Sequence, residues 1–320
     1  MPQGIQSELD EFVTLVKQYF GKNLKSIIVY GSYARGDYNE SSDIDIMILV
    51  TLSENQIKQS ENHIYDDAFD LELKYGKVLS PVIKNQEFFE YWSDTLPFYR
   101  NVKMDADELI SLMDTYEIET TMICVLDNEV AYKAMQKYPG RIEGCVYVNP
   151  LEPNCLDLID QYVKLGFKAI KLQPLRHAYC ADSEIVDPVL DKAEEYGIPV
   201  CIHSGHPPYS LPWQIGLLAE RHPNCKVLMI HMGHGHGVYI DAALKMARRY
   251  PNIYLEMSGM PMHTKIKEAY DTVGHDRILF GTDGPFHHPT VEMQKVLMCG
   301  VDEQGLEDIF YNNAKKFFDV

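Results

Sequence analysis

Residues 31–50 read GSYARGDYNESSDIDIMILV: a Gly-Ser turn, a spacer of about ten residues, and two aspartates, Asp43 and Asp45, set one residue apart in an apolar run. Side chains on a strand alternate between faces, so Asp43 and Asp45 point the same way while Ile44 and Ile46 face a core. Two carboxylates on one face make a site for a hard divalent cation, which takes oxygen ligands and shares them with substrate phosphates. Just upstream, Ile27, Ile28 and Val29 form an apolar strand that ends at Tyr30. Gly31 and Ser32 then let the backbone turn tightly enough to present amide groups to phosphate oxygens, with Arg35 as a phosphate clamp and Ser42 beside the aspartates.

Taken together, GSYARG and SDIDIMILV match the signature of the minimal nucleotidyltransferases of the DNA polymerase beta superfamily, and the chain resembles them over its first hundred or so residues. The resemblance implies transfer of AMP from ATP to an acceptor hydroxyl with Mg2+, Asp43 and Asp45 being metal ligands and Gly31, Ser32, Arg35 and Ser42 holding the nucleotide. That family also uses a third acidic residue on a later strand. Phe69 to Lys74 reads as that strand and offers Asp70, with Glu72 in reserve, to hold metal and help deprotonate the acceptor. A stretch such as LPFYRNV, residues 96–102, tends to close such modules. Members resembling this module often pair with a helical partner protein in toxin-antitoxin systems.

Around the signature, Ser7 to Phe20 carries a helical stripe closed by Gly21, and Val78 to Ile83 reads as an edge strand because Pro81 cannot donate to a ladder. A short aromatic helix follows from Gln86 to Trp92. The composition then changes. None of the seven cysteines precedes residue 124, and of the twelve histidines only His63 falls in the first hundred residues, which places a module boundary near residue 103. The expected domains are 1–103 and 104–320.

Beyond the boundary, apolar strands recur at Thr121 to Val125, Gly144 to Val148, Lys168 to Leu172, Pro199 to His203, Lys226 to His231, Ile253 to Met257 and Arg277 to Asp283, with amphipathic helices between them. Buried strands alternating with helices imply right-handed crossovers and a parallel sheet. Polar residues stand at most strand ends, including Lys171, His203, His231, Glu256 and Asp283, and that distribution favours a (β/α)8 barrel over an open sheet with one switch point. His203, His231 and Asp283 are candidates to meet at one cation.

GFKAIKLQP, PVCIHSGHP, KVLMIHMGHGHG and RILFGTDGPF carry a resemblance to the amidohydrolase superfamily, in particular the branch whose carboxylyases act on small carboxylated compounds. The resemblance implies Zn2+ or Mn2+. It makes His203 a metal ligand, His231 a ligand or substrate-polarising group, and Asp283 the ligand or base that handles attacking water; Lys171 lines the pocket or bridges two metals after carboxylation. The family's first strand, with its HxH pair, has no counterpart here. His234-Gly-His236 spells HxH but reads as a Gly-rich loop after a later strand. The expected fold is therefore a small α+β nucleotidyltransferase fold followed by an incomplete (β/α)8 TIM-like barrel, whose open edge invites association with a second copy.

Composition sets the remaining bounds. A 320-residue chain with 46% hydrophobic and 24% charged residues is ordinary for a globular protein, and a net charge of -18 disfavours bulk nucleic-acid or anionic-membrane binding. No signal peptide or spanning run is visible and the cysteines form no CxxC pair, so a cytoplasmic location with free thiols is expected. The leading expectation is an adenylyl-transferring enzyme. The alternatives are a metal-dependent hydrolase or decarboxylase with a passive front module, and a front module that acts only by binding, as an antitoxin does.

Overall fold

The computed structural model describes residues 6–31, 33, 42–93 and 105–320, and the chain divides into two compact units, Met1–Asp105 and Ala106–Val320. Ser32, Arg35 and the 96–102 stretch lie outside the described residues.

In the first unit α1 (Gln6–Phe20) leads into β1 (Leu24–Tyr30), β2 (Ile44–Val50), α2 (Glu54–Tyr75), β3 (Leu79–Asn85) and α3 (Gln86–Ser93). The sheet order is β1-β2-β3; β1 runs antiparallel to β2, and β3 parallel to it. The period of two decides which face each side chain takes. Ile44, Ile46, Ile48 and Val50 are buried with Leu9, Phe12 and Val16 of α1 and Ile57, Ile64 and Leu71 of α2. Met47 and Leu49 face the other way, onto Phe89 of α3. Pro81 lies on β3, at the sheet's edge, where a missing donor costs nothing.

One element departs from the sequence reading. Phe69 to Lys74 is not a strand; it is the last part of α2. Its local alternation is overridden by a helical stripe, Ile57, Ser60, Ile64, Ala68 and Leu71, all buried, that begins where Gln56 accepts a hydrogen bond from the Ser53 amide (3.0 Å). The helix stops at Gly76, which adopts a left-handed conformation (φ 76°).

The second unit begins with α4 (Ala106–Thr115) and contains seven parallel strands: β4 (Thr121–Ile123), β5 (Ile142–Tyr147), β6 (Ala169–Leu172), β7 (Val200–His203), β8 (Val227–Ile230), β9 (Ile253–Glu256) and β10 (Ile278–Leu279). They pair strictly in chain order, each crossing through helices to its neighbour. Val146, Ile170, Ile202, Met229 and Leu255 face the helix layer, whereas Cys145, Ala169, Cys201, Leu228 and Leu279 face inward onto Phe317 and Phe318 of the terminal helix. The sheet curls. Tyr116 and Glu119, just before β4, reach His288 and Tyr311, which follow β10, at 3.2 Å each. The result is a half-barrel that lacks one strand, with β4 and β10 as its two ends.

Candidate functional sites

In the first unit the site is built where β1 ends and β2 begins. Tyr30 sits opposite Asp45 in the ladder, and Gly31 then turns with φ +69°. A Cβ at position 31 would lie 1.9 Å from Asp45 Oδ2, so only glycine lets the turn pack onto that carboxylate. By the strand's alternation Asp43 and Asp45 fall on the Met47 and Leu49 face, opposite the one packed on α1 and α2. Ser80 Oγ donates to Asp43 Oδ2 at 2.6 Å, and Ser80 is also the ladder partner of Asp45. Burial raises the Tyr30 phenol above its usual range, and the negative charges of Asp45 and Asp43 add to that shift.

An open groove of about 450 Å³ adjoins Asp45, lined by Tyr30, Asp45, Tyr65, Phe69, Glu72 and Ser80 among others. Glu72 is the acidic residue that α2 turns toward it. Asp70 is exposed and lies on another side of the helix from Tyr65, Phe69 and Glu72, a consequence of the helix replacing the expected strand. Ser42 directly precedes the pair in the described chain. The donor set at Asp43 and Asp45 is oxygen only, which fits a hard cation of the Mg2+ kind.

In the second unit, His203 ends β7 and His231 directly follows β8, their ring centroids 4.8 Å apart. Burial drives both imidazoles down, His203 to about 2 and His231 to about 3, with the Lys171 charge and neighbouring rings pushing the same way. Both rings are therefore neutral, the form that ligates metal. His231 Nδ1 lies 2.9 Å from the Ser258 carbonyl oxygen and 3.0 Å from Ser258 Oγ. Glu256, at the end of β9 and 5% exposed, accepts from the amides of His231 (3.1 Å) and Ser258 (2.6 Å) and from Ser258 Oγ (2.9 Å). Lys171 is buried on β6. Asp283 takes a strained φ of +47° and lies 3.8 Å from His287; burial raises its carboxyl above the usual range.

Two further residues join this cluster: His206, which the sequence reading did not single out, and His234, which it read as part of a Gly-rich loop. His206 Nδ1 is 2.9 Å from His203 Nε2, and the His234 ring stands 4.7 Å from that of His206. The sequence does hold a signal for them: His203-Ser-Gly-His206 and His231-Met-Gly-His234 repeat one H-x-G-H spacing after adjacent strands. His236, the second half of the HxH read as a loop, is exposed.

Family models match both units: an amidohydrolase over residues 108–320 and a nucleotidyltransferase domain over residues 9–96. The chain belongs to the amidohydrolase family and carries a nucleotidyltransferase domain. Over 100 residues the transferase end is 37% identical to "Putative protein adenylyltransferase MJ0604" of Methanocaldococcus jannaschii, covering 30% of this chain and 89% of that protein. MJ0141 of the same organism, named in the same way, is 37% identical over 75 residues, 23% of this chain and 74% of its own. The solved 2,6-dihydroxybenzoate decarboxylase from Rhizobium shares the fold at 19% identity and a TM-score of 0.56, over 72% of this chain and 95% of that one. So does a 5-carboxyvanillate decarboxylase from Novosphingobium aromaticivorans complexed with manganese, at 18% identity, a TM-score of 0.57 and coverages of 86% and 95%. The nucleotidyltransferase domain and the amidohydrolase-like half-barrel thus occur in one chain. No helix among the described residues is long and apolar enough to cross a membrane.

Proposed function

We propose that the nucleotidyltransferase domain transfers AMP from ATP to a hydroxyl, on a protein or a small molecule, using Asp43 and Asp45. The observation that carries this reading is the meeting of both aspartates at the start of β2, with the Gly31 backbone packed onto Asp45 and Ser80, the ladder partner of Asp45, donating to Asp43. Asp43 and Asp45 would hold a divalent cation of the Mg2+ kind, which supplies charge neutralisation for the triphosphate when bound. Ser80 holds Asp43 in one orientation. In the transfer, the acceptor oxygen bonds to the alpha phosphorus, the bond from that phosphorus to the bridging oxygen breaks, pyrophosphate leaves, and the hydroxyl proton passes to a base. We assign that last role to Glu72, which lines the groove beside Asp45, in place of Asp70. Names given to the relatives favour a protein acceptor.

The test uses ATP labelled in parallel at the alpha and gamma phosphates. The native chain with Mg2+ should label an acceptor from the alpha position alone, and Asp43→Asn with Asp45→Asn should abolish it. Label from the gamma position, or label that survives the double substitution, overturns the reading.

A second reading is favoured by the meeting of His203 and His231 at neighbouring strand ends: the half-barrel acts as a metal-dependent hydrolase or decarboxylase on small carboxylated aromatic compounds, the chemistry named for its structural neighbours. Turnover of dihydroxybenzoate by the native chain and its loss in His203→Ala would support it. Absence of turnover with Zn2+ and Mn2+ would count against it.

A further inference from the structure

Cysteines from two adjacent strands meet at the open end of the half-barrel. β4 is one end of the described sheet, and Cys124 directly follows it. Ile123 and Val125 pack on the helix-side core, so by the strand's alternation Cys124 points the other way, into the half-barrel. Cys145 points inward too, in a layer with Ala169 and Cys201, while its neighbour Gly144 faces the helices, where an added Cβ would meet Met135 and Phe167. β4 and β5 run parallel with Ile123 opposite Gly144, and the next step of that register sets Cys124 beside Cys145. Their accessibility differs. Cys145 and Cys201 are 0% and 1% exposed, whereas Cys124, with no described strand on its other side, is open to solvent.

We propose that Cys124 and Cys145 form a hydroperoxide-sensitive pair, in which exposed Cys124 is oxidised first and Cys145 resolves it to a disulfide that ties β4 to β5. Three observations support it. Neighbouring strands lie about 4.8 Å apart, inside the roughly 4.4–6.8 Å between Cα atoms that a disulfide spans, so residues in register can be joined without moving the backbone. The Cys145 thiol donates a hydrogen bond to the Cys124 sulfur. That bond, aided by the Lys171 charge, holds Cys124 below the usual thiol range, against burial and the charges of Glu256 and Asp283. Hydrogen bonding with Cys124 and Cys201, and then burial, push Cys145 well above that range, so it stays protonated and escapes direct oxidation. In the first step the Cys124 thiolate attacks one oxygen of the hydroperoxide: the S–O bond forms, the O–O bond breaks, and the departing alkoxide or hydroxide takes up a proton. The sulfur, oxidised by two electrons, is then a sulfenic acid. The Cys145 sulfur attacks it, the S–S bond forms, the S–O bond breaks, and hydroxide leaves as water with the Cys145 proton. Two thiols and one hydroperoxide thereby become a disulfide, an alcohol and water, the alcohol being a second water when the oxidant is hydrogen peroxide.

The test follows the thiols themselves and needs neither proposed activity. The full chain, reduced and freed of reductant, is treated with hydrogen peroxide, its remaining thiols are alkylated, and it is mapped by mass spectrometry without reduction. The native chain should lose two of its seven thiols and show Cys124 joined to Cys145 within one chain, a change that dithiothreitol reverses. In Cys145→Ser, dimedone should trap a sulfenic acid on Cys124; in Cys124→Ser, Cys145 should stay reduced. A chain unfolded in urea before oxidation should show no preference for the pair, which ties the outcome to the fold. The native map decides the matter even if a variant fails to fold. Cys124 still free after peroxide, Cys124 joined to Cys201, a disulfide between two chains, or Cys124 driven to a sulfinic acid with Cys145 free overturns the proposal.

Discussion

Single residues decide most of the chemistry in this chain, and some do so through burial alone. Glu8 on α1 is 1% exposed, and its Oε1 has no hydrogen-bond partner among the described residues. Burial pushes its carboxyl above the usual value of 4.5, the Glu72 charge adds to that, and Lys77 opposes it. The folded unit therefore keeps a proton that the unfolded chain releases. Its stabilising contribution is complete below the unfolded value of 4.5 and is lost as pH rises through the raised folded value. Glu8→Gln should remove that loss. Urea midpoints of the first unit, followed from pH 4 to pH 7, should fall for the native chain relative to the variant. Parallel curves for the two chains would show that the Glu8 carboxyl is ionised in the fold. At this scale the sequence was readable where two residues share a period: the Asp43 and Asp45 pair needs only strand alternation. The His206 and His234 contact was not readable, because it depends on how closely Gly205 approaches Gly233 across two strand ends.

At the scale of elements, strands and the first helix were legible because burial follows their periods, and the seven barrel strands could be counted from apolar runs. The exception was α2. Phe69 to Lys74 alternates as a strand does, but Ser53 with Gln56 at one end and Gly76 at the other mark a single long helix, and the buried 57-60-64-68-71 stripe agrees with them. A six-residue window hides what a 22-residue helix makes plain. The two glycines flanking these elements give a matched prediction. Gly76 has φ 76° with nothing within 4 Å of an added Cβ, so Gly76→Ala should cost only the left-handed conformation, about 1 kcal/mol. Gly31 has a similar φ but meets Asp45, so Gly31→Ala should cost more and also displace the Asp45 carboxylate. Chemical denaturation alongside label transfer should show Gly76→Ala active and slightly weakened, and Gly31→Ala inactive. Equal activity of the two variants would mean that the Gly31 turn does not position Asp45.

For the whole molecule, each unit holds its own hydrophobic core among the described residues. Independent cores predict two cooperative unfolding transitions instead of one. Calorimetry of the full chain should resolve them. A single transition would show that the units unfold together. The organisation into transferase and barrel was legible because cysteine and histidine usage changes at the junction. How the two ends of the half-barrel come together was not, since the side chains that meet there, Tyr116 with His288 and Glu119 with Tyr311, lie far apart in sequence.

Where the transfer chemistry sits is the central question. Its most direct test is one labelling assay, alpha-labelled ATP with Mg2+ and a cell lysate, run on four forms of the chain: native, Asp43→Asn with Asp45→Asn, Glu72→Gln, and His203→Ala. Acceptor labelling should be lost in the double variant, fall at least tenfold in Glu72→Gln, and persist in His203→Ala. Labelling that survives without Asp43 and Asp45, or that disappears with His203, would contradict a transfer site at Asp43 and Asp45.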